Sequence, residues 1–199
     1  MAYIIAGLGN PGEEYLNTRH NTGRIMIEHF REAFDFPEWK EDKKLKVLVS
    51  KGKVGEESVT LLEPNNFMNN SGKQVLPFVK SKKAAEKTVV IYDDIDLPLG
   101  TVKISYNRSS GGHNGIGSII KCLKTQEFIR VRIGVSKVGA KGLAKKPKGE
   151  DAVLKFLLGE FKKDEMLELK KIEKRAGEAL AMIVTSGREK AMGEINRLS

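Results

Sequence analysis

The chain has 199 residues, 40% of them hydrophobic, which is enough for a folded protein with a sizeable core and excludes a disordered chain. The charge is unbalanced, because 35 lysine and arginine residues face 26 aspartate and glutamate residues and give a net charge of +9. This excess favours a polyanionic partner such as nucleic acid, with a lysine-rich solvated surface as the alternative.

The amino-terminal sequence MAYIIAGLGN has no basic segment before its apolar run. That run is also too short for a secretion signal or a membrane span. The single cysteine, Cys122, cannot form an internal disulfide, and its place on an apolar helical pattern favours a buried small side chain. We therefore expect a soluble cytoplasmic protein.

Strand-like runs alternate with helical patterns along the first 135 residues. Strands are predicted at residues 3 to 8, 44 to 50, 57 to 63, 88 to 92, 101 to 106 and 128 to 135. Helices are predicted near residues 22 to 35, 70 to 83 and 114 to 124. The runs YIIAG and TVVIY are continuously apolar, as expected for central strands that are covered on both faces. The pattern predicts a mixed α/β sheet.

The last predicted strand, FIRVRIGV, alternates in character, so that its aliphatic residues face the core while Arg130 and Arg132 lie on the other face. Residues 136 to 150 carry five lysines and one glutamate, a net charge of +4, and their glycines and proline predict irregular structure. From about residue 151 the chain is predicted to be helical. The apolar face of this helical segment consists of Leu169, Ile172, Ala176, Leu180 and Ile183. Since neither a repeat nor a linker divides the chain, residues 1 to 199 are predicted to form one domain.

A long polar loop follows the first strand, in the stretch GLGNPGEEYLNTRHNTG from Gly7 to Gly23. Its glycines match the G-x-G-x-x-G spacing of dinucleotide-binding loops. However, Pro11 stands where the helix should begin, and about ten polar residues precede the next apolar periodicity. We therefore interpret the stretch as a loop that carries a different kind of site.

Three histidines are candidates for proton transfer at neutral pH. His20 lies in this polar loop and is the leading candidate for a base. His29 falls at the edge of an apolar helix face, where a structural or solvated role is expected. His113 lies in the glycine-rich connection SSGGHNG and is interpreted as an anion contact or a turn residue.

Asp93, Asp94 and Asp96 follow the central strand TVVIY. If this strand is parallel and adjacent to the first, Asp93 could orient His20 at the shared sheet edge. A magnesium site and a solvated acidic turn are the open alternatives at this point. The chain has no serine-nucleophile elbow and no zinc-binding spacing, which leaves water activated by histidine. Asparagines that could orient such a water or an oxyanion are Asn10, Asn69 and Asn114.

Four segments, GLGNPGxxYxxTRHNxG, FMNxSG, DDxDLPxG and GGHNG, occur in this order, and together they resemble the bacterial peptidyl-tRNA hydrolase family. The similarity spans nearly the whole chain and continues through FIRVRIGV and AMGEIN. The resemblance implies a single-domain α/β fold, with a mixed twisted sheet surrounded by helices. It also implies hydrolysis of the ester between a peptide and the 3′ ribose of tRNA, hence a part in translation and ribosome rescue, without metal or organic cofactor.

The resemblance also implies roles for individual residues. His20 would be the base and Asp93 would hold it. The residues that would line the substrate site are Asn10, Tyr15, Met68, Asn69 and Asn114. Lys103 and Arg132 would bind a phosphate of the tRNA acceptor stem, although Ser105 stands where the family often has lysine. A monomer without membrane contact is expected.

Two other classes of protein compete with this interpretation. A noncatalytic RNA-binding module could share the fold, since fold alone does not fix chemistry. A magnesium-dependent phosphoryl-transfer enzyme could use the three aspartates. Release of peptide from peptidyl-tRNA by the purified protein would exclude the noncatalytic RNA-binding module. Full activity in EDTA would exclude the magnesium-dependent enzyme.

Overall fold

The computed structural model describes residues 2–197 and contains an eight-stranded mixed sheet with helices on both faces. The strands are β1 (Tyr3–Gly7), β2 (Lys40–Asp42), β3 (Val47–Val54), β4 (Glu57–Pro64), β5 (Thr88–Pro98), β6 (Val102–Tyr106), β7 (Ile129–Val138) and β8 (Ala144–Lys145). The helices are α1 (Thr22–Ala33), α2 (Ser71–Val75), α3 (Lys82–Glu86), α4 (Asn114–Leu123), α5 (Glu150–Leu157), α6 (Lys163–Ser186) and α7 (Arg188–Arg197). The predicted mixed sheet, surrounding helices and helical carboxyl-terminal segment are confirmed.

The sheet has the strand order β2-β3-β4-β1-β5-β7-β6, and β8 pairs with β7. β1 is parallel to both β4 and β5, and β5 is parallel to β7. The outer pairings are antiparallel. The carboxyl ends of four central strands therefore meet at one edge, which is where ligand sites of open α/β sheets are found.

The core has two parts because successive side chains of β1 point to opposite faces of the sheet. Ile5 packs with residues of α1 and α6 in one cluster. Ile4 and Ala6 pack with residues of α2, α3 and α4 in the other. Both faces of β1 and β5 are thus covered, which explains why their sequences are continuously apolar. The predicted apolar face of the carboxyl-terminal helical segment is buried in the first cluster, as α6.

The helix predicted over residues 70 to 83 is wrong. α2 ends at Val75, and a 3₁₀ turn, Leu76–Phe78, contains Pro77. Proline lacks the N–H that would continue the helix, and its ring crowds the preceding turn. A new helix, α3, starts only after Ser81. The side chain of Ser81 caps this helix by accepting a hydrogen bond from the main-chain N–H of Ala84.

Three further expectations need correction at the strands. β5 runs on to Pro98, so Asp93, Asp94 and Asp96 lie within the strand and not in a turn after it. The segment from 136 to 150 is partly regular, because β8 pairs with the end of β7. Arg130 is fully buried despite its position opposite the aliphatic face, since its guanidinium donates to main-chain carbonyls and lies over the Phe128 ring.

None of the helices formed by residues 2–197 combines the length and the apolar composition that crossing a bilayer requires.

Gly23 allows the start of α1 to lie directly on the sheet. A Cβ atom at this position would be 2.3 Å from the main-chain oxygen of Ile91 and 2.5 Å from the main-chain nitrogen of Leu8. These two atoms are hydrogen-bonded to each other where the pairing of β1 with β5 ends, so they cannot move aside. The glycine thereby sets the distance between α1 and the sheet edge.

We predict that Gly23→Ala lowers the free energy of unfolding by about 3 kcal/mol, because the added methyl group overpacks rigid main chain. Urea denaturation monitored by circular dichroism measures the change. Gly193→Ala is the matched control, because nothing lies within 4 Å of a Cβ at that position of α7. The control should gain about 0.5–1 kcal/mol from helix propensity. Equal behaviour of the two variants would contradict the packing argument.

Candidate active site

His20 and Asp93 are in direct contact at the carboxyl edge of the sheet. After β1 the chain forms two 3₁₀ turns, Glu13–Tyr15 and Arg19–Asn21, and His20 is the central residue of the second. Asp93 lies on the neighbouring parallel strand β5. The Nδ1 atom of His20 is 3.0 Å from both carboxylate oxygens of Asp93. Both residues are buried, with exposures of 6% and 2%.

Arg19 fixes the turn that carries His20. Its guanidinium donates hydrogen bonds to three main-chain carbonyls within residues 156–160, and its ion pair with Glu165 spans 2.6 Å. The main-chain oxygen of Arg19 accepts a hydrogen bond from the hydroxyl of Thr22 at 2.7 Å. The turn is therefore held from the α5–α6 connection on one side and from α1 on the other. Sequence reasoning missed Arg19, since its partner lies 146 residues away.

A second imidazole, that of His113, also contacts Asp93. The Nε2 atom of His113 is 3.1 Å from Oδ1 of Asp93. The Nδ1 atom of the same ring accepts hydrogen bonds from the main-chain N–H groups of Gly115 and Ile116, at 3.1 and 3.3 Å. The sequence interpretation of His113 as an anion contact or turn residue omitted this contact. Its position in front of α4 was the available signal, because a polar residue there can cap the helix.

The hydrogen bonds assign the protons of both rings. Because Nδ1 of His113 accepts, its Nε2 carries the hydrogen and donates it to Asp93. Asp93 also accepts from Nδ1 of His20, which leaves the Nε2 lone pair of His20 available as a base.

His20, Asp93 and His113 could in principle hold a metal ion, because their possible ligand atoms all lie within 4.8 Å of one another. Within residues 2–197, no other group of three or more histidine, cysteine, aspartate or glutamate side chains has this spacing. The Nε2 atom of His113 has no lone pair to offer while its Nδ1 accepts from two main-chain N–H groups. In this geometry the trio is a hydrogen-bonded network rather than a ligand set.

The electrostatics of the pair favour a basic imidazole beside an ionised carboxylate. Burial lowers the pKa of His20, but the charge of Asp93 and its hydrogen bond outweigh burial and raise that pKa above its ordinary value. Burial would raise the pKa of Asp93, yet the contacts with His20 and His113 hold it well below the usual range. Asp93 is thus ionised at neutral pH.

Asn10 is hydrogen-bonded to Asn21, the residue that follows His20, and its amide has a fixed orientation. The main chain of Asn10 exchanges two hydrogen bonds with the side chain of Asn21, at 2.8 and 2.9 Å. The Oδ1 atom of Asn10 accepts from the main-chain N–H of Met68 at 2.9 Å. Since the oxygen is committed to Met68, the amide NH₂ points in the other direction as a donor. Asn10 is 7% exposed.

The other predicted substrate residues lie on three segments: the first turn after β1, the turn before α2 and the start of α4. Met68 and Asn69 belong to a 3₁₀ turn that precedes α2, where Met68 is buried and Asn69 is exposed. Asn114, also exposed, begins α4. A Cβ atom on Gly115 would lie only 2.6 Å from the sulfur of Met68, so the two segments are in tight contact. Tyr15 is half-buried in the first turn after β1.

The predicted phosphate contacts lie on the neighbouring antiparallel pair β6 and β7. Lys103 and Arg132 are register partners, and the Nε atom of Arg132 donates to Asp94 at 2.7 Å. Arg132 also lines a cavity of about 380 Å³ together with Arg108 and Ser105. The hydroxyl oxygen of Ser105 is buried and has no hydrogen-bond partner among residues 2–197.

The three clustered aspartates have different partners. Asp93 binds the imidazoles, Asp94 binds Arg132, and Asp96 binds Lys146. They do not form a close set of metal-ligand atoms in the described part of the chain. Of the three alternatives left open by the sequence, the contacts of Asp93 favour the orienting role.

We predict that Asp93→Asn lowers the pKa of His20, because the opposing effect of burial remains after the charge of Asp93 is lost. Titration of the histidine ring signals by NMR measures this pKa. His29 is the internal reference, because it lies near Glu173 and not near Asp93. An unchanged or increased pKa for His20 would refute the electrostatic account.

Comparison with known proteins places the whole chain in one family. Residues 4–199 match the family model described as peptidyl-tRNA hydrolase. The peptidyl-tRNA hydrolase of Caldicellulosiruptor saccharolyticus is 41% identical over 198 residues, which cover 98% of this chain and 97% of that protein. The corresponding protein of Herpetosiphon aurantiacus is 39% identical, with coverages of 98% and 90%.

The fold leads to the same conclusion as the sequence. The crystal structure of peptidyl-tRNA hydrolase from Acinetobacter baumannii has a TM-score of 0.86 to this structure and 29% sequence identity. The match covers 98% of this chain and 94% of that one. The resemblance found in the sequence motifs is thereby confirmed, and the chain belongs to the peptidyl-tRNA hydrolase family.

Proposed function

We propose that the chain hydrolyses the ester bond between the peptide and the 3′ ribose of tRNA in peptidyl-tRNA, with His20 as the base that activates water. Membership of the peptidyl-tRNA hydrolase family supports the substrate and the reaction. The buried hydrogen bond between His20 and Asp93 carries the mechanistic part of the proposal. It supplies an imidazole with a fixed tautomer and a raised pKa at the edge of the sheet.

In the proposed reaction, Nε2 of His20 removes a proton from water as the water oxygen attacks the ester carbonyl. Asp93 stabilises the imidazolium that forms, because it is ionised and hydrogen-bonded to Nδ1. When the tetrahedral intermediate collapses, the bond to the ribose 3′ oxygen breaks and the imidazolium returns the proton to that oxygen. The products are a free peptide carboxyl group and tRNA.

The chemistry of the leaving group accounts for the choice of an ester over an amide. A ribose alkoxide departs from a tetrahedral intermediate more readily than an amine does. Only one imidazole of the described site, that of His20, has a lone pair available as a base, and the other proposed hydrogen-bonding groups are amide side chains, so amide bonds within the peptide should survive. We therefore expect cleavage only at the bond between peptide and tRNA.

Carboxamide groups are proposed to position the reactants. Asn10 supports this role because its amide is oriented by the hydrogen bond from Met68. Asn69 and Asn114 support it because they are exposed and lie on segments that pack together. Met68 and Tyr15 would form the neighbouring wall. Such donors stabilise the developing oxyanion if they are fixed before the substrate binds.

The tRNA acceptor stem is proposed to bind across β6 and β7. Lys103 and Arg132 lie opposite each other on these strands, and the overall charge of +9 favours a polyanion. Arg108 replaces the positive charge that Ser105 does not supply, since it lines the same cavity as Arg132. Arg130 is unsuited to this role because its guanidinium is buried against main-chain carbonyls. We further expect the protein to act in the cytoplasm as a monomer.

We predict that His20→Ala lowers kcat for peptide release from peptidyl-tRNA by about 10³-fold, because general-base catalysis is lost. Affinity for tRNA should stay at the wild-type value, since the substituted ring is buried and its hydrogen bond is with Asp93, not with the proposed phosphate contacts. A filter-release assay with labelled peptidyl-tRNA measures the first quantity and a binding titration the second.

His29→Ala provides the matched control, because this ring lies on α1 with its Nδ1 3.6 Å from Glu173. The control should be fully active. Wild-type activity should also persist in EDTA. Near-normal turnover by His20→Ala would overturn the assignment of the base, and loss of wild-type activity in EDTA that added magnesium restores would favour the metal-dependent rival.

We predict that Arg132→Gln raises KM for peptidyl-tRNA and leaves kcat unchanged, because glutamine can still donate to Asp94 but cannot neutralise a phosphate. The slope of log KM against log salt concentration should fall by about one. Lys83→Gln, an exposed position on α3, makes the same change in net charge and should leave the slope unchanged. A decrease in kcat at constant KM would place Arg132 in the chemistry instead.

A further inference from the structure

His113 combines two structural tasks in one ring. Its Nδ1 atom caps α4 by accepting from the N–H groups of Gly115 and Ile116. Its Nε2 atom donates to Asp93 on β5. The first contact sets the start of the helix whose first residue is Asn114, and the second sets the carboxylate that holds His20.

We infer that His113 is a positioning residue for the hydrolysis, which fixes Asp93 and the amino-terminal end of α4 relative to each other and tunes His20 as a base. The inference rests on the proposed function of His20 and Asp93. In this role the imidazole of His113 belongs to the site but does not itself exchange a proton with the substrate.

The packing around His113 leaves the ring one orientation. Its side chain is 8% exposed. The edge of Tyr92 lies against it with ring centroids 4.8 Å apart, and the His20 ring is 5.1 Å away. A Cβ atom on Gly115 would lie 3.2 Å from Cε1 of His113, so the glycine permits the close approach of α4. A ring held on several sides can transmit position from the helix to the carboxylate.

The hydrogen bond from His113 also affects how strongly Asp93 favours the imidazolium form of His20. An N–H dipole that points at the carboxylate has its positive end toward His20, and it therefore opposes protonation of His20. Removing the ring takes away this dipole and admits water, and both changes stabilise the imidazolium. The acid limb of the pH–rate profile, which reports the pKa of His20, should then move to higher pH.

The other charged or titratable groups that line the cavity beside the pair are Asp94, Asp96, Arg108, Arg132 and Tyr92. Asp94 and Asp96 are each paired with a cationic side chain. Burial raises the pKa of Tyr92 to about 12, so this phenol does not titrate near neutrality. The test therefore follows the ionisation of His20, whose pKa is raised by the charge of Asp93.

Two substitutions separate the two tasks of His113. Asparagine is a good helix cap but is too short to reach Asp93, so His113→Asn keeps the contact with α4 and removes the contact with β5. His113→Ala removes both. His29→Asn is the matched control, since it removes an imidazole near a carboxylate on α1, away from the site.

The experiment measures kcat and KM for peptidyl-tRNA from pH 5 to pH 9, together with the melting temperature, for the wild type, these three variants and His20→Ala. For His113→Asn we expect kcat to fall about tenfold, in line with the loss of one hydrogen bond to a charged group. The acid limb should move to higher pH by about half a unit or more. KM and the melting temperature should stay close to those of the wild type, while His113→Ala should also raise KM as α4 loosens.

Each outcome has a separate meaning. An acid limb at the wild-type pH in His113→Asn, with His20→Ala inactive, would overturn the role of His113 and leave the proposed base intact. An active His20→Ala would overturn the proposed base itself. A profile that moves equally in His29→Asn would also refute the inference, because the shift would then not depend on contact with Asp93.

Discussion

The structure depends on one buried charge, the carboxylate of Asp93. A carboxylate removed from water is costly unless hydrogen bonds and nearby positive charge compensate for the lost hydration. Two imidazole N–H groups, from His20 and His113, provide this compensation. They come from a loop after β1 and from the start of α4, so the fold must bring three separate segments to one point. The same hydrogen bonds that stabilise this charge select the His20 tautomer that the proposed mechanism requires.

Close main-chain packing makes this convergence possible. Gly23 lets α1 lie on the joined ends of β1 and β5, and Gly72 lets α2 lie against α4. A Cβ on Gly72 would be 2.2 Å from the main-chain oxygen of Ser118. The loops at the sheet edge therefore adjoin helices that are in close main-chain contact, α1 with the sheet and α2 with α4. Asn10, a proposed substrate contact, is also fixed, since its side-chain oxygen accepts a hydrogen bond from the main chain of Met68.

Local patterns were sufficient for much of the fold. Continuous apolar runs identified β1 and β5, and the repeat of apolar residues identified the buried face of α6. The contact of His20 with Asp93 was accessible because parallel neighbours end at one edge. The break at Pro77 follows from a local rule, because proline interrupts a helix, but the predicted helix ran through it. The burial of Arg130 and the second contact of Asp93 were not accessible. Each depends on tertiary partners, such as the carbonyls around Arg130, that composition and periodicity do not specify.

The anchoring of Arg19 has a consequence for the order in which the protein acquires activity. Its carboxylate partner, Glu165, and the carbonyls of residues 156–160 come from the last quarter of the chain. During synthesis the strand and loop that carry His20 emerge long before these partners do. A nascent fragment that stops short of α6 leaves the guanidinium without its counter-charge, so the turn that carries His20 lacks one of its anchors. The turn of the proposed base, His20, is thus fully anchored only when translation of the chain is nearly complete.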